Sequence, residues 1–185
     1  EPMEKEAIWE STQTAVIIVD MWDDHWFPNA AKRVTEMAKP MNKVIKLARE
    51  KGMLIIHAPS STVDFYKGTL ARKRSINAPS ASPPKPLSKD VRWGTNWCWP
   101  DKFRETELPI DDSDMGCDCE KEFPIREAWT RQIETIEIDD ESDAITDNGQ
   151  EAYNLLVEHK IENVILMGVH LNMCVLGRPV GIRQM

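Results

Sequence analysis

The sequence predicts an α/β protein with a parallel sheet and a long Pro/Trp-rich insertion. Three observations predict it. Residues 15–19, AVIIV, form a continuous β-branched run that closes on Asp20, the pattern of a strand buried on both faces. Apolar residues then recur at helical spacing through 30–51 (Val34, Met37, Met41, Val44, Ile45, Ala48) and lead into a second apolar run at 53–57. A strand, a helix and a strand in that order form a right-handed βαβ unit. A second helix and strand follow at 150–159 and 164–167.

Each element has its own local reasons. Pro40 is placed either to kink one helix or to start a second, and Gly52 suits the residue just past a helix end. In the later helix Ala152, Tyr153, Leu155, Leu156 and Val157 are available to face the sheet. Alternation of Ile133, Ile136 and Ile138 predicts a short strand, and Ala144 with Ile145 predicts another. Residues 59–130 show no period and carry most of the twelve prolines together with Trp93, Trp97 and Trp99. A structureless stretch of that length is expected to serve function or partner contacts.

Length and composition describe one soluble domain, 1–185, with 41% hydrophobic and 29% charged residues. A net charge of −8 argues against a nucleic-acid partner, and the basic residues within 67–74 read as a solvated segment. No apolar run approaches the ~20 residues that span a bilayer. The chain opens on Glu1, which leaves the compartment open between cytoplasm and export after loss of a signal peptide. Four cysteines are too few for a disulfide scaffold. Cys98, Cys117 and Cys119 are read as structural thiols, with a Cys98 bridge as the alternative. Asp112, Asp114 and Gly116 imitate half of a calcium loop but lack its distant Glu, so they read as a solvated acidic turn.

Two residues draw chemical attention. Asp20 ends the first strand and Cys174 lies just past a later one, so both are expected at the carboxyl edge of the sheet, where open α/β sheets bind ligands. A thiol beside a carboxylate is the kernel of a cysteine nucleophile with its base. Backbone N–H groups at a helix start are expected to lower the thiol's pKa, so that iodoacetamide labels it faster than a model thiol near pH 7. The aromatic loop after Asp20 supplies Trp22, His25, Trp26 and Phe27 as a pocket wall, with His57 and Asn172 as further pocket residues and Trp93 to Trp99 as added aromatic surface. Seven tryptophans suit an apolar pocket or a subunit interface, and a small-molecule substrate and a homo-oligomer are both expected.

The segments TAVIIVDMW, LAREKG, MLIIHA and above all VILMGVHLNMCV resemble the isochorismatase-like cysteine hydrolase superfamily, whose signature runs G-V-x-x-N-x-C-V. The likeness covers residues 14–58 and 149–178. It implies a Rossmann-like three-layer α/β/α sandwich and hydrolysis at an amide, carbonyl or vinyl-ether centre by an Asp, Lys and Cys triad, with no cofactor. Cys174 becomes the nucleophile and Asp20 its base. A cis peptide bond in the turn before the cysteine falls at Val169 and His170, where an oxyanion site is expected. The metal-binding branch uses two histidines after the second strand; His57 has no such companion, so no metal is expected.

The chain departs from that pattern twice. No lysine lies between Gln132 and His159, and Glu141 or Asp147 occupies the place of the family lysine. Arg131, Lys89 or Arg92 is therefore expected to bring the cation, and a catalytically inactive binding or assembly module is the alternative. The family also places further strands after the cysteine helix, which implies that C-terminal strands are missing here.

Overall fold

The computed structural model describes residues 4–109, 118–121 and 123–185. Cys117 and the residues Asp112, Asp114 and Gly116 lie outside the described residues. Four strands form one parallel sheet: β1 (Thr14–Val19), β2 (Leu54–Ala58), β5 (Ala144–Ile145) and β6 (Asn163–Gly168), in the order β5-β2-β1-β6. A separate antiparallel hairpin within the insertion joins β3 (Val91–Arg92) to β4 (Thr95–Asn96). The helices are α1 (Pro28–Glu50), α2 (Leu70–Asn77), α3 (Gly149–Glu158) and the single turn α4 (Cys174–Gly177).

The β-branched runs become the central strands because both of their faces are covered. Val16 and Ile18 of β1 and Ile55 of β2 pack against Val34, Ala38, Met41 and Ile45 of α1. Their neighbours Ala15, Ile17, Val19, Leu54 and Ile56 face Ala152, Leu155 and Leu156 of α3. Alternation of side chains along each strand thus gives one α/β/α sandwich. Gly168 ends β6 with φ of 132°, and a Cβ there would stand 1.9 Å from the Val19 carbonyl oxygen, so only glycine lets β6 lie against the end of β1.

The structure decides several local expectations, some of them against the sequence pattern. α1 is one helix, with Pro40 inside it on the exposed side. In α3, Asn154 is buried whereas Val157 is exposed; Asn154 Oδ1 accepts from the Ala81 N–H and so ties the insertion to the helix. Residues 133–138 form no strand. Ile136 alone of the three isoleucines is buried, against α1, while Ile138 packs partly against Tyr66 and Ile145. Cys98 and Cys119 are unbridged. No helix among the described residues is long and apolar enough to cross a membrane.

Candidate active site

All four sheet strands run the same way, so the residues following them gather at one edge. Asp20 follows β1 with a left-handed φ of 49°, a conformation that Asp tolerates better than most residues. Its Oδ1 accepts from the Ser60 N–H, just past β2, at 2.8 Å. Its Oδ2 accepts from Arg178 Nε, also at 2.8 Å, with both side chains out of solvent. Past β6, the peptide bond between Val169 and His170 is cis, and the chain turns so that the Met173 and Val175 N–H groups both donate to the His170 carbonyl. Cys174 follows, buried and unbridged, as the first residue of α4.

The cation at this cluster is Arg178, and none of the three expected residues supplies it. Arg131 pairs with Glu134 and Asp23 and lies over the Phe65 ring. Lys89 is exposed. The Arg92 guanidinium lies over the rings of Trp93, Trp97 and Trp99. The missed signal is spacing: Arg178 stands four residues after Cys174, the interval that places two side chains on one helix face. Besides Asp20, Arg178 holds the insertion. Its Nη1 donates to the carbonyls of Arg92 and Trp93 and to Thr95 Oγ1, the last at 2.6 Å, and so fastens the β3–β4 hairpin over the site. Glu141 is exposed, whereas Asp147 follows β5 and accepts from the Ser61 N–H at 2.8 Å. Burial pushes the Asp147 carboxyl upward, and the nearby Asp20 charge adds to it.

The expected low thiol pKa is also corrected. Burial first, then the Asp20 charge and a hydrogen bond to its carboxylate, push the Cys174 thiol up to about 12; Arg178 and the His170 backbone act in the opposite sense without prevailing. The sulfur at rest is a protonated thiol beside a carboxylate.

A cavity of about 20 Å³ touches the thiol, lined by Trp22, His25, Trp26, Trp93, Trp129, His170, Met173, Cys174 and Arg178. That is room for about one water. Trp22 and Trp129 stack with centroids 4.0 Å apart and planes 6° from parallel, and His25 lies over Trp26 at 4.2 Å. Burial lowers both imidazoles, His25 to about 3, so they line the cavity uncharged. Trp22 and His25 both line this cavity, and Trp129, from the far end of the insertion, joins them without having been foreseen.

His57 and Asn172 lie elsewhere. His57 points toward the α1 face of the sheet, where Nδ1 meets Gln132 and Nε2 meets Asp143, each at 3.0 Å. Asp143 is in turn bound by Arg49 at 2.6 Å. This buried polar network joins β2 to α1 and to the segment before β5. Asn172 opens instead onto a neighbouring cleft of about 340 Å³ with Trp97, Trp99 and Arg183. Among the described residues no group of three or more His, Cys, Asp or Glu side chains is arranged to hold a metal.

Comparisons with family models, with curated proteins and with solved structures return no match.

Proposed function

We propose that the protein is a cysteine-nucleophile hydrolase acting on a small molecule through Cys174, Asp20 and Arg178. One observation carries the reading: a buried carboxylate is held between a buried guanidinium and a protonated thiol at the carboxyl edge of a parallel sheet. Arg178 and the Ser60 N–H orient the Asp20 carboxylate toward the sulfur. In the first half-reaction the S–H proton passes to Asp20 as the sulfur attacks the substrate's carbonyl carbon. A C–S bond forms, the bond to the leaving group breaks, and the leaving group takes the proton from Asp20. A water then attacks the thioester and gives one proton to Asp20, which returns it to the departing sulfur. The thiol thus becomes nucleophilic only as its proton moves, in the manner of a serine with its base rather than a standing thiolate. The turn at Val169 and His170 is the site for the carbonyl oxygen as it gains charge.

The test is acylation by p-nitrophenyl acetate followed by peptide mass mapping. Acetyl on Cys174 in the wild type, absent in Cys174→Ala and at least ~100-fold slower in Asp20→Asn, supports the reading. Acetylation confined to Cys98, Cys119 or lysines rejects it.

A second reading, a binding module without turnover, draws on the thiol held near 12 and on a cavity with room for one water. It expects ligand binding that survives in Cys174→Ala, with no acylation in the wild type.

A further inference from the structure

Four tryptophans line the cavity beside Cys174, and their indole N–H groups fall into two classes. Trp22 Nε1 donates to the Ser60 carbonyl and Trp129 Nε1 donates to Ser61 Oγ, each at 3.2 Å. Trp26 Nε1 and Trp93 Nε1 are buried with no hydrogen-bond partner among the described residues. Trp26 as a whole is 6% exposed. The two rings are neighbours, with centroids 5.5 Å apart. An unmet buried donor is costly, about 1–3 kcal/mol each, and two of them on neighbouring rings that line one small cavity point to an acceptor atom there.

We propose that Trp26 and Trp93 form a two-donor recognition site for an uncharged oxygen acceptor, so that the ligand of this cavity is a flat carbonyl compound such as a carboxamide or ester. The cavity walls argue for flatness: the stacked Trp22 and Trp129 and the His25 ring offer aromatic faces. Its charges argue for neutrality. The one guanidinium is already paired with Asp20, and both histidines are uncharged. A carboxylate would therefore enter a dry site beside Asp20 with no unspent cation to meet it. Trp93 sits in the turn between β3 and β4, so entry of anything larger than a water displaces this hairpin outward. Calling the ligand a substrate rests on the hydrolase reading; the recognition itself does not.

The experiment is titration of tryptophan-indole-labelled ¹⁵N protein with benzamide, toluene and benzoate, watched by NMR, with Trp26→Phe and Trp93→Phe to assign the two resonances. Benzamide is expected to move both indole N–H signals and toluene to leave them in place. Each Phe variant is expected to weaken benzamide about three- to tenfold, the effect of one neutral hydrogen bond, and to leave toluene affinity unchanged. The proposal is overturned if benzamide moves neither signal, as when a water alone fills the cavity, if the variants weaken toluene and benzamide alike, or if benzoate binds more tightly than benzamide. The same titration in Cys174→Ala separates the two readings. Indole shifts without any acylation in the wild type reject the hydrolase and retain the recognition site, whereas acylation without indole shifts does the reverse.

Discussion

Arg178 Nε donates to Asp20 Oδ2 across 2.8 Å although the two residues are 158 positions apart, and neither side chain reaches solvent. Removing one partner strands the other's charge in the core. Asp20→Asn and Arg178→Met are each expected to lower unfolding stability by about 3–5 kcal/mol. The double variant is expected to cost much less than their sum. Urea midpoints of the four proteins check this, and additive losses contradict it.

The same pair acts on the thiol with opposite signs, which labelling resolves. With its pKa near 12, Cys174 in the folded wild type is expected to react with iodoacetamide more slowly than a model thiol at pH 7, and its rate to keep rising with pH above 9. Asp20→Asn removes a charge that holds the proton on sulfur, so alkylation, which goes through the standing thiolate, is expected to speed even as acylation, which draws on Asp20 as base, slows. Arg178→Met removes the opposing cation and is expected to slow it. Peptide-resolved alkylation rates from pH 7 to 10 supply the measurement; faster labelling in both variants signals local opening instead.

His25 titrates near 3 in the folded chain because burial lowers it, with His170 adding to the effect; its ordinary value is about 6.5. The unfolded chain therefore binds more protons across that window. The stabilisation is complete above pH 6.5 and is lost as pH falls toward 3, at about 1.4 kcal/mol per pH unit. His25 Nδ1 accepts from the Phe27 N–H, a bond that an Asn side-chain oxygen can replace. Urea midpoints from pH 7 to pH 4 are expected to fall less steeply in His25→Asn than in the wild type. Parallel slopes would assign the acid sensitivity to other groups.

Gly168→Ala sets a Cβ 1.9 Å from the Val19 carbonyl oxygen at a φ of 132°. The central β1–β6 pairing has to shift, and a loss of roughly 3 kcal/mol or more is expected. Thermal unfolding measures it; a variant within 0.5 kcal/mol of wild type, the scale of an ordinary surface change, shows that β6 has room to move.

The central strands were legible because β1 and β2 are buried on both faces and so need continuous apolar runs, which nothing else in the chain imitates. Asp20 and Cys174 were legible for a related reason, since strand ends in a parallel sheet share one edge. What failed was sidedness and reach. His57 follows β2's alternation onto the α1 face, and sequence alone does not say which face lies over the cavity. Ile133, Ile136 and Ile138 suggested a strand, but the backbone there is spent on turns and on holding Gln132 against Trp22. Trp129 comes to line the cavity at the thiol through contacts across an insertion without periodicity, which no local pattern records. Arg178 was overlooked although its spacing from Cys174 is helical, because the pattern that the sequence resembles has its cation, a lysine, before the helix that leads into β6.

The Arg178 clasp also bears on the order in which the chain is made. Asp20 emerges early, with β1, whereas its counter-charge is added 158 residues later. Until then, closing the sheet around β1 buries an unmatched carboxylate, unless that group takes up a proton. The N-terminal βαβ unit therefore has an electrostatic reason to stay unconsolidated during synthesis. Arg178 admits the carboxylate to the core and locks down the β3–β4 hairpin in a single act, so the pairing that removes this cost also assembles the site.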